Sequence, residues 1–360
     1  MKKIKLEYIW LDGHKPEPNL RSKTKILIDD EFIGDQLDLH HLPKWSFDGS
    51  STKQARGSKS DCILQPVRLY KDPFRKNAYL VLCEVQKSIG DAINGCVRNM
   101  IAHNDYDEWY AFEQEYFIMK NGLPLGFPED GSFPKDQGEF YCGVGAHNVD
   151  GRVIVEEHLD ACLKAGLTIT GVNAEVCIGQ WEYQLFGKGA KHAADDLWIS
   201  RYLLYRIAEA YNVDICLHPK PIEENSGYQA NGSGMHVNFS NSRLREEGGL
   251  NYIEELMEEF KWHHDLHIDN YGSDNDKRLT GDFETQHIDK FSYGVSDRGA
   301  SIRIPISTAE SEWKGYLEDR RPSSNANPYM LTKLISNRLH GYPESIAEVK
   351  TRMGVHLEKI

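Results

Sequence analysis

Apolar residues in this chain fall into two patterns: short runs bounded by turn residues, some alternating with polar positions, and longer stretches where they recur every three or four residues. The short runs predict strands at Leu6–Leu11, Lys25–Ile28 and Ala78–Val85, then over 109–119, 167–172, 180–186, 235–240 and 300–304. The longer spacing predicts helices over 91–103, 156–165 ending at Gly166, 191–211 with a stripe of Leu197, Tyr202, Leu204 and Ile207, 250–267, and 328–340 ending at Gly341. A Gly/Ser/Lys-rich loop at 49–60 is too long and polar for a hairpin turn, and is expected to reach something outside its own domain. Strands separated by helices of unequal length indicate an α+β fold with a mostly antiparallel sheet.

A length of 360 residues adds the expectation of two domains of unequal size. The formal charge of −13 argues against a general nucleic-acid or anionic-membrane surface, so a bound anion must meet a local cationic pocket. Seven scattered cysteines, with no Cys-x-x-Cys pair, fit buried free thiols and a cytoplasmic location. Glu7 and Asp12 interrupt the apolar run after the N-terminal lysines, which excludes a signal peptide there, and no apolar stretch approaches the length of a membrane span.

Candidate chemistry sits on the sheet-like segments. In the strand predicted over 109–119, Glu113 and Glu115 share one face about 7 Å apart in an apolar stretch. Two carboxylates there repel unless a proton or a cation neutralises them, and a divalent metal is the economical answer. Glu175 and Glu182 flank a Gly-containing bend, so a hairpin returns them to one cavity; an exposed hairpin with solvated glutamates is the competing reading. The glycine loop Asn231-Gly-Ser-Gly leads into a strand at His236, whose neutral imidazole would ligate a metal, although a lone histidine is more often structural.

Arg298, Arg303, Arg320 and Arg321, with Glu318 among them, look like the missing anion pocket. Surface salt bridging is the bland alternative, but Arg303 lies between Ile302 and Ile304 and so projects from a buried strand. His263 and His267 lack the glutamate of the zinc-protease pattern and read as structural; neither a P-loop nor a nucleophile elbow occurs. A two-carboxylate glycosidase would leave His236 and the arginines unexplained.

These residues resemble glutamine synthetases of the eukaryotic-like type, which some bacteria also carry. The similarity runs from Trp45-Ser-Phe-Asp-Gly-Ser-Ser-Thr52 through Asp72-Pro-Phe-Arg75, Glu113-Gln-Glu115, Asn173-Ala-Glu175, Gln180-Trp-Glu182, Lys220-Pro221 and Arg278-Leu-Thr-Gly281 to Glu318-Asp-Arg-Arg-Pro322. It implies a small β-grasp-like domain over 1–88 and a catalytic domain over 89–360, with a curved, mostly antiparallel sheet flanked by helices. It also implies two or three Mg²⁺ or Mn²⁺ ions per site, with Glu115, Glu175 and Glu182 holding one and Glu113, His236 and Glu318 another.

By the same resemblance Arg298 and Arg303 bind phosphate, while Glu182, Gln184, Asn238, Ser240 and Tyr316 line an ATP pocket. Asn231, Gly232, Arg278, Arg298 and Arg320 bind glutamate. Asp48 matches the aspartate that takes a proton from ammonium, and Glu284 the loop glutamate that closes the site. The implied reaction is phosphorylation of the γ-carboxylate of L-glutamate by ATP, followed by displacement of phosphate by ammonia. The implied assembly is a decamer of two pentameric rings in which the small domain completes a neighbour's site, with no nucleic acid or membrane partner.

The chain starts almost at its first strand, lacking most of the N-terminal arm that helps eukaryotic rings pack together, which bears on ring stacking. Cys177-Ile178-Gly179, Leu185 to Lys188 and Ile306 also differ from the commonest family wording, whereas every metal and arginine position is kept. Retention of Asp48 and Glu284 favours ammonia over a larger amine, and a catalytically dead relative would be expected to have lost ligands.

Overall fold

The computed structural model describes residues 2–29, 37–87, 97–101, 106–130, 132–222 and 227–341. Two compact units divide the chain, the first holding all strands before residue 102 and the second all later strands. The first contains β1 (Lys2–Leu11), β2 (Leu20–Asp29), β3 (Trp45–Asp48), β4 (Asp61–Lys71) and β5 (Ala78–Lys87) in the order β2-β1-β5-β4-β3. Only the β1/β5 pair is parallel, as expected of a β-grasp-like sheet. Its core is the inward face of that alternation, with Ile4, Leu6, Tyr8 and Trp10 of β1 against Leu64, Val81, Cys83 and Val85.

The sequence pattern missed β3 and β4. Pro66 and Arg68 flank a register shift in β4, and its polar residues on the half-buried face obscure the period of two. β3 delivers Asp48 to the start of the 49–60 loop, which closes on itself where the Gly49 N–H donates to the Ser60 carbonyl at 2.7 Å.

The second unit is built on a curved sheet whose central strand is β6 (Trp109–Lys120). β7 (Leu123–Pro124) and β10 (Asp214–Cys216) pair with its C-terminal end. The main path runs β12-β13-β14-β11-β6-β9-β8, comprising β8 (Thr168–Ala174), β9 (Gln180–Lys188), β11 (Met235–Ser240), β12 (Tyr293–Val295), β13 (Ile302–Ile304) and β14 (Leu317–Asp319). Every pair is antiparallel except β12/β13, which fits the expected α+β class.

Helices complete the fold: α1 (Arg152–Ala165), α2 (Ala190–Tyr211), α3 (Leu250–Trp262), α4 (His264–Ile268), α5 (Ile306–Glu310) and α6 (Pro328–His340). The apolar stripe of α2 is buried against β6 and β9, and α6 packs beside it. Asn327 caps α6 by accepting the Tyr329 N–H, and Gly341 ends it in the left-handed conformation.

The single helix expected over 250–267 is broken. His263 leaves helical geometry, its Nδ1 lies 2.9 Å from the Glu259 carbonyl oxygen, and its Nε2 accepts from Arg338 at 2.6 Å. The helix expected over 91–103 lies mostly outside the described residues, as does the boundary expected after residue 88; Val97–Met100 is a short 3-10 turn. No described helix is long and apolar enough to cross a membrane, and six cysteines are free thiols among the described residues.

Candidate active site

Sheet register assembles the site. On β6 the alternation that sends Phe112, Gln114 and Tyr116 into the core presents Glu113 and Glu115 to a cavity of about 380 Å³ on the opposite face. Directly across the neighbouring strands, Glu113 faces His236 of β11 and Glu115 faces Glu182 of β9. The β8–β9 hairpin returns Glu175 toward Glu182, its N–H donating to the Gln180 carbonyl at 3.0 Å. At the other end Arg303 of β13 sits opposite Glu318 of β14. All six predicted acidic and histidine positions line the cavity, together with Arg278, Arg298, Arg303 and Arg320.

Two groups of side chains differ in charge balance. Ligating atoms of Glu113, His236 and Glu318 lie within 4.8 Å of one another, with His236 Nδ1 at 3.4 Å from one carboxylate and 3.6 Å from the other. Burial, then the nearby Arg320 charge, lowers the His236 pKa and favours the neutral imidazole that metals bind. For Glu113, burial opposes ionisation, but bonds from His236 and Asn238 and the charge of Arg320 prevail and bring its pKa down to about 2. Glu318 is almost fully buried and accepts from Arg303 Nη1 and Arg320 Nη1, both at 2.6 Å.

Glu115, Glu175 and Glu182 have no such cationic partner at contact distance among the described residues. Burial first, and then repulsion between neighbouring carboxylates, pushes them up to about 8, 7 and 9. Carboxylates crowded this way either retain protons or share a cation, and oxygen ligands joined by one imidazole suit Mg²⁺ or Mn²⁺.

The remaining predicted residues are placed unevenly. Gln184 lines the cavity and donates to Glu182 Oε1 at 3.0 Å. Asn231 and Gly232 line it too; a Cβ at Gly232 would fall 2.3 Å from Arg278 Cγ, so the loop requires glycine there. Arg278 is buried and donates to the backbone carbonyls of Arg320, Arg321 and Pro322, which fastens the segment after β14. Glu284 lines the cavity from a turn where Phe283 and Glu284 both adopt left-handed backbone, with φ 52° and 58°. Asn238 reaches the site through Glu113, to which it donates at 2.7 Å, whereas Ser240 and Tyr316 stand outside the lining, Tyr316 well exposed.

Every residue lining the cavity belongs to the second unit, whereas Asp48 belongs to the first. Its carboxylate accepts from the Ser50 N–H and from the Ser50 and Ser51 hydroxyls, and these bonds lower its pKa to about 2. Arg321 is a correction. It is buried away from the cavity, forked onto Asp319 and bonded to His264 and His267, because its side chain and that of Asp319 turn to the other side of the chain from Glu318 and Arg320. Residues not singled out from sequence, Tyr141, Asn173, Gln180 and Thr285, also line the cavity. Asn173 and Gln180 lie within the motifs around Glu175 and Glu182, which was the available signal.

Acidic groups able to hold divalent cations, set against arginines on one sheet face, equip an enzyme that handles phosphoryl and carboxylate groups. Residues 2–88 match the family model described as glutamine synthetase, beta-Grasp domain, and residues 95–255 the one described as glutamine synthetase, catalytic domain. A glutamine synthetase of Bradyrhizobium diazoefficiens is 51% identical over 95% of this chain and 98% of its own length. One of Rhizobium meliloti is 52% identical over 92% and 99%, and one of Emericella nidulans 47% identical over 94% and 93%. The chain belongs to the glutamine synthetase family. It is an ATP-dependent glutamate–ammonia ligase.

Proposed function

We propose that the acid- and arginine-lined cavity is where this ligase joins ammonia to glutamate, with Glu115, Glu175 and Glu182 holding one Mg²⁺ or Mn²⁺ ion and Glu113, His236 and Glu318 another. The observation that carries this reading is the Glu113–His236–Glu318 cluster, whose Glu318 is shared with Arg303 and Arg320. When bound, the ions polarise phosphoryl oxygens and offset charge developing on the transferring group.

The chain's own groups do the rest. Arg298 and Arg303 draw the phosphates in, and Glu182, Gln184, Asn238, Ser240 and Tyr316 receive the nucleotide. Asn231, Gly232, Arg278, Arg298 and Arg320 orient glutamate so that a γ-carboxylate oxygen attacks the terminal phosphorus and ADP leaves. Ammonia then adds to the carbonyl carbon of the acyl phosphate and inorganic phosphate departs, giving glutamine. Glu284 closes the cavity against water, which would otherwise hydrolyse that intermediate. Asp48, held ionised by its serine bonds, attracts ammonium and takes its proton only in passing.

In this reading residues 1–88 and 89–360 are the functional domains, and the protein is a cytoplasmic decamer of two pentameric rings. Asp48 serves a neighbouring copy, consistent with a cavity lined by the second unit alone. Asp48→Ala and Arg303→Ala, each nearly inactive by itself, should regain about a quarter of the wild-type rate when co-expressed, because mixed rings then contain intact composite sites. A co-expressed, assembled mixture with no regained activity would sink the shared-site reading.

A further inference from the structure

We infer that Arg201 and Gln114 form a positioning hub behind the cavity that sets the spacing of the metal-holding side chains; the inference rests on the reading that the cavity takes divalent cations. Between Glu113 and Glu115, the side chain of Gln114 turns to the opposite face of β6 and is fully buried there. Arg201, on α2, is also buried, at 1% exposure. Its Nε and Nη2 donate to Gln114 Oε1 at 2.9 and 2.6 Å. The same Nη2 lies 2.9 Å from the Ser324 carbonyl oxygen, 3.2 Å from that of Ala326 and 3.3 Å from Met235 Sδ.

The hub continues toward the ligands. Gln114 Nε2 donates to the carbonyl of Glu115 at 2.9 Å and to that of Ser324 at 3.1 Å, while the Ser324 hydroxyl donates to the Glu115 carbonyl at 2.6 Å. Three segments therefore meet at one guanidinium. They are β6 with Glu113 and Glu115, the start of β11 where Met235 precedes His236, and the chain that runs from Glu318 and Arg320 into Ser324. Backbone bonds from Met235 to Pro322 and from Ser324 to Ser233 join the last two directly.

A cation site tolerates errors of only about half an ångström in ligand placement, so what fixes these three backbones fixes affinity. A planar guanidinium with donors in a rigid fork can hold several acceptors at once in one geometry, which the single ammonium of lysine cannot. A fully bonded buried network of this kind also resists rearrangement. Arg201 and Gln114 thus act through Glu113, Glu115, His236 and Glu318 and are positioning residues.

Mn²⁺ binding to the assembled full-length protein, stripped with chelator and titrated by electron paramagnetic resonance, tests this. Arg201→Met and Gln114→Met should each raise the Mn²⁺ Kd of the folded protein about tenfold. Arg201→Lys should fall between them and wild type, and glutamine synthesis by the Met variants should partly recover at saturating Mn²⁺. Arg206→Met, on the exposed side of the same helix, should bind as wild type does. If Arg201→Met does not fold, Gln114→Met reads the same link. Variants with lowered melting temperature but wild-type Mn²⁺ affinity would overturn the positioning role and leave the metal reading intact. A wild-type protein that binds no Mn²⁺ would overturn the metal reading, and this inference with it.

Discussion

Glu318→Gln should lower the rate of glutamine synthesis by about a thousandfold while leaving a folded protein. Among the described residues, Glu318 is the one carboxylate of the candidate metal cluster that also forms ion pairs with arginines. It lies 3.6 Å from His236 Nδ1 within the candidate metal cluster, and it accepts from both Arg303 and Arg320. Glutamine keeps the shape but removes the charge and sets an amide donor against one of those guanidinium donors. The cluster loses an anionic ligand, and two arginines lose the counter-charge that aims them. Steady-state assay at saturating Mg²⁺, ATP, glutamate and ammonium reads the effect, and a rate within tenfold of wild type would remove Glu318 from the machinery.

Above pH 7, the chelator-treated protein should lose stability as pH rises to 9, and added Mn²⁺ should restore more of it at pH 9 than at pH 7. The sign follows from Glu115, Glu175 and Glu182, whose pKa values rise in the folded state from 4.5 to about 8, 7 and 9. Between 4.5 and those values the native state binds more protons than the unfolded chain, so stability falls with pH until the folded groups ionise. His236 works in the opposite direction, because its lowered pKa makes stability rise with pH, but only up to its ordinary 6.5. Glu113, with its lowered pKa, has made its full contribution by pH 5.

The window from 7 to 9 therefore lies above the His236 and Glu113 contributions and spans the ionisation of Glu115 and Glu182, with Glu175 half-titrated at its start. Buried thiols such as Cys177 add a loss of the same sign near pH 9, which Mn²⁺ does not relieve. A pKa unit is about 1.4 kcal/mol per group. Mn²⁺ replaces the protons the three carboxylates must release, so its stabilisation grows over the same window. Thermal melts with and without Mn²⁺ at pH 7, 8 and 9 check this. A flat apo profile, or a Mn²⁺ increment independent of pH, would contradict the crowding.

The acidic half of the site was legible because strand alternation is a short-range property. Glu113 and Glu115 share a face by the geometry of one strand, and Glu175 and Glu182 meet through one hairpin. The pairing of Glu113 with His236 and of Arg303 with Glu318 depends on sheet order, which no local pattern encodes; the first was accessible only through the family resemblance, and for the second the sequence offered no more than a grouping of Glu318 with the arginines. Arg321 was misplaced for the same reason. Adjacent arginines look equivalent in sequence, yet only Arg320 shares a side of the chain with Glu318, while Arg321 closes a buried fork on Asp319.

The helices at 191–211 and 328–340 were clear from their apolar stripes and caps, whereas the break at His263 depends on contacts with Arg338 far along the chain. Gln114 escaped notice because alternation places it opposite the two glutamates but carries no sign of Arg201, its partner 87 residues along the chain.

Anomalous diffraction at the manganese edge, from crystals grown with Mn²⁺, would test the central claim most directly. The account predicts one peak within ligand distance, about 2.2 Å, of Glu113, His236 and Glu318, and a second bounded by Glu115, Glu175 and Glu182. Peaks confined to other surfaces, with this cavity free of manganese at saturating concentration, would contradict it.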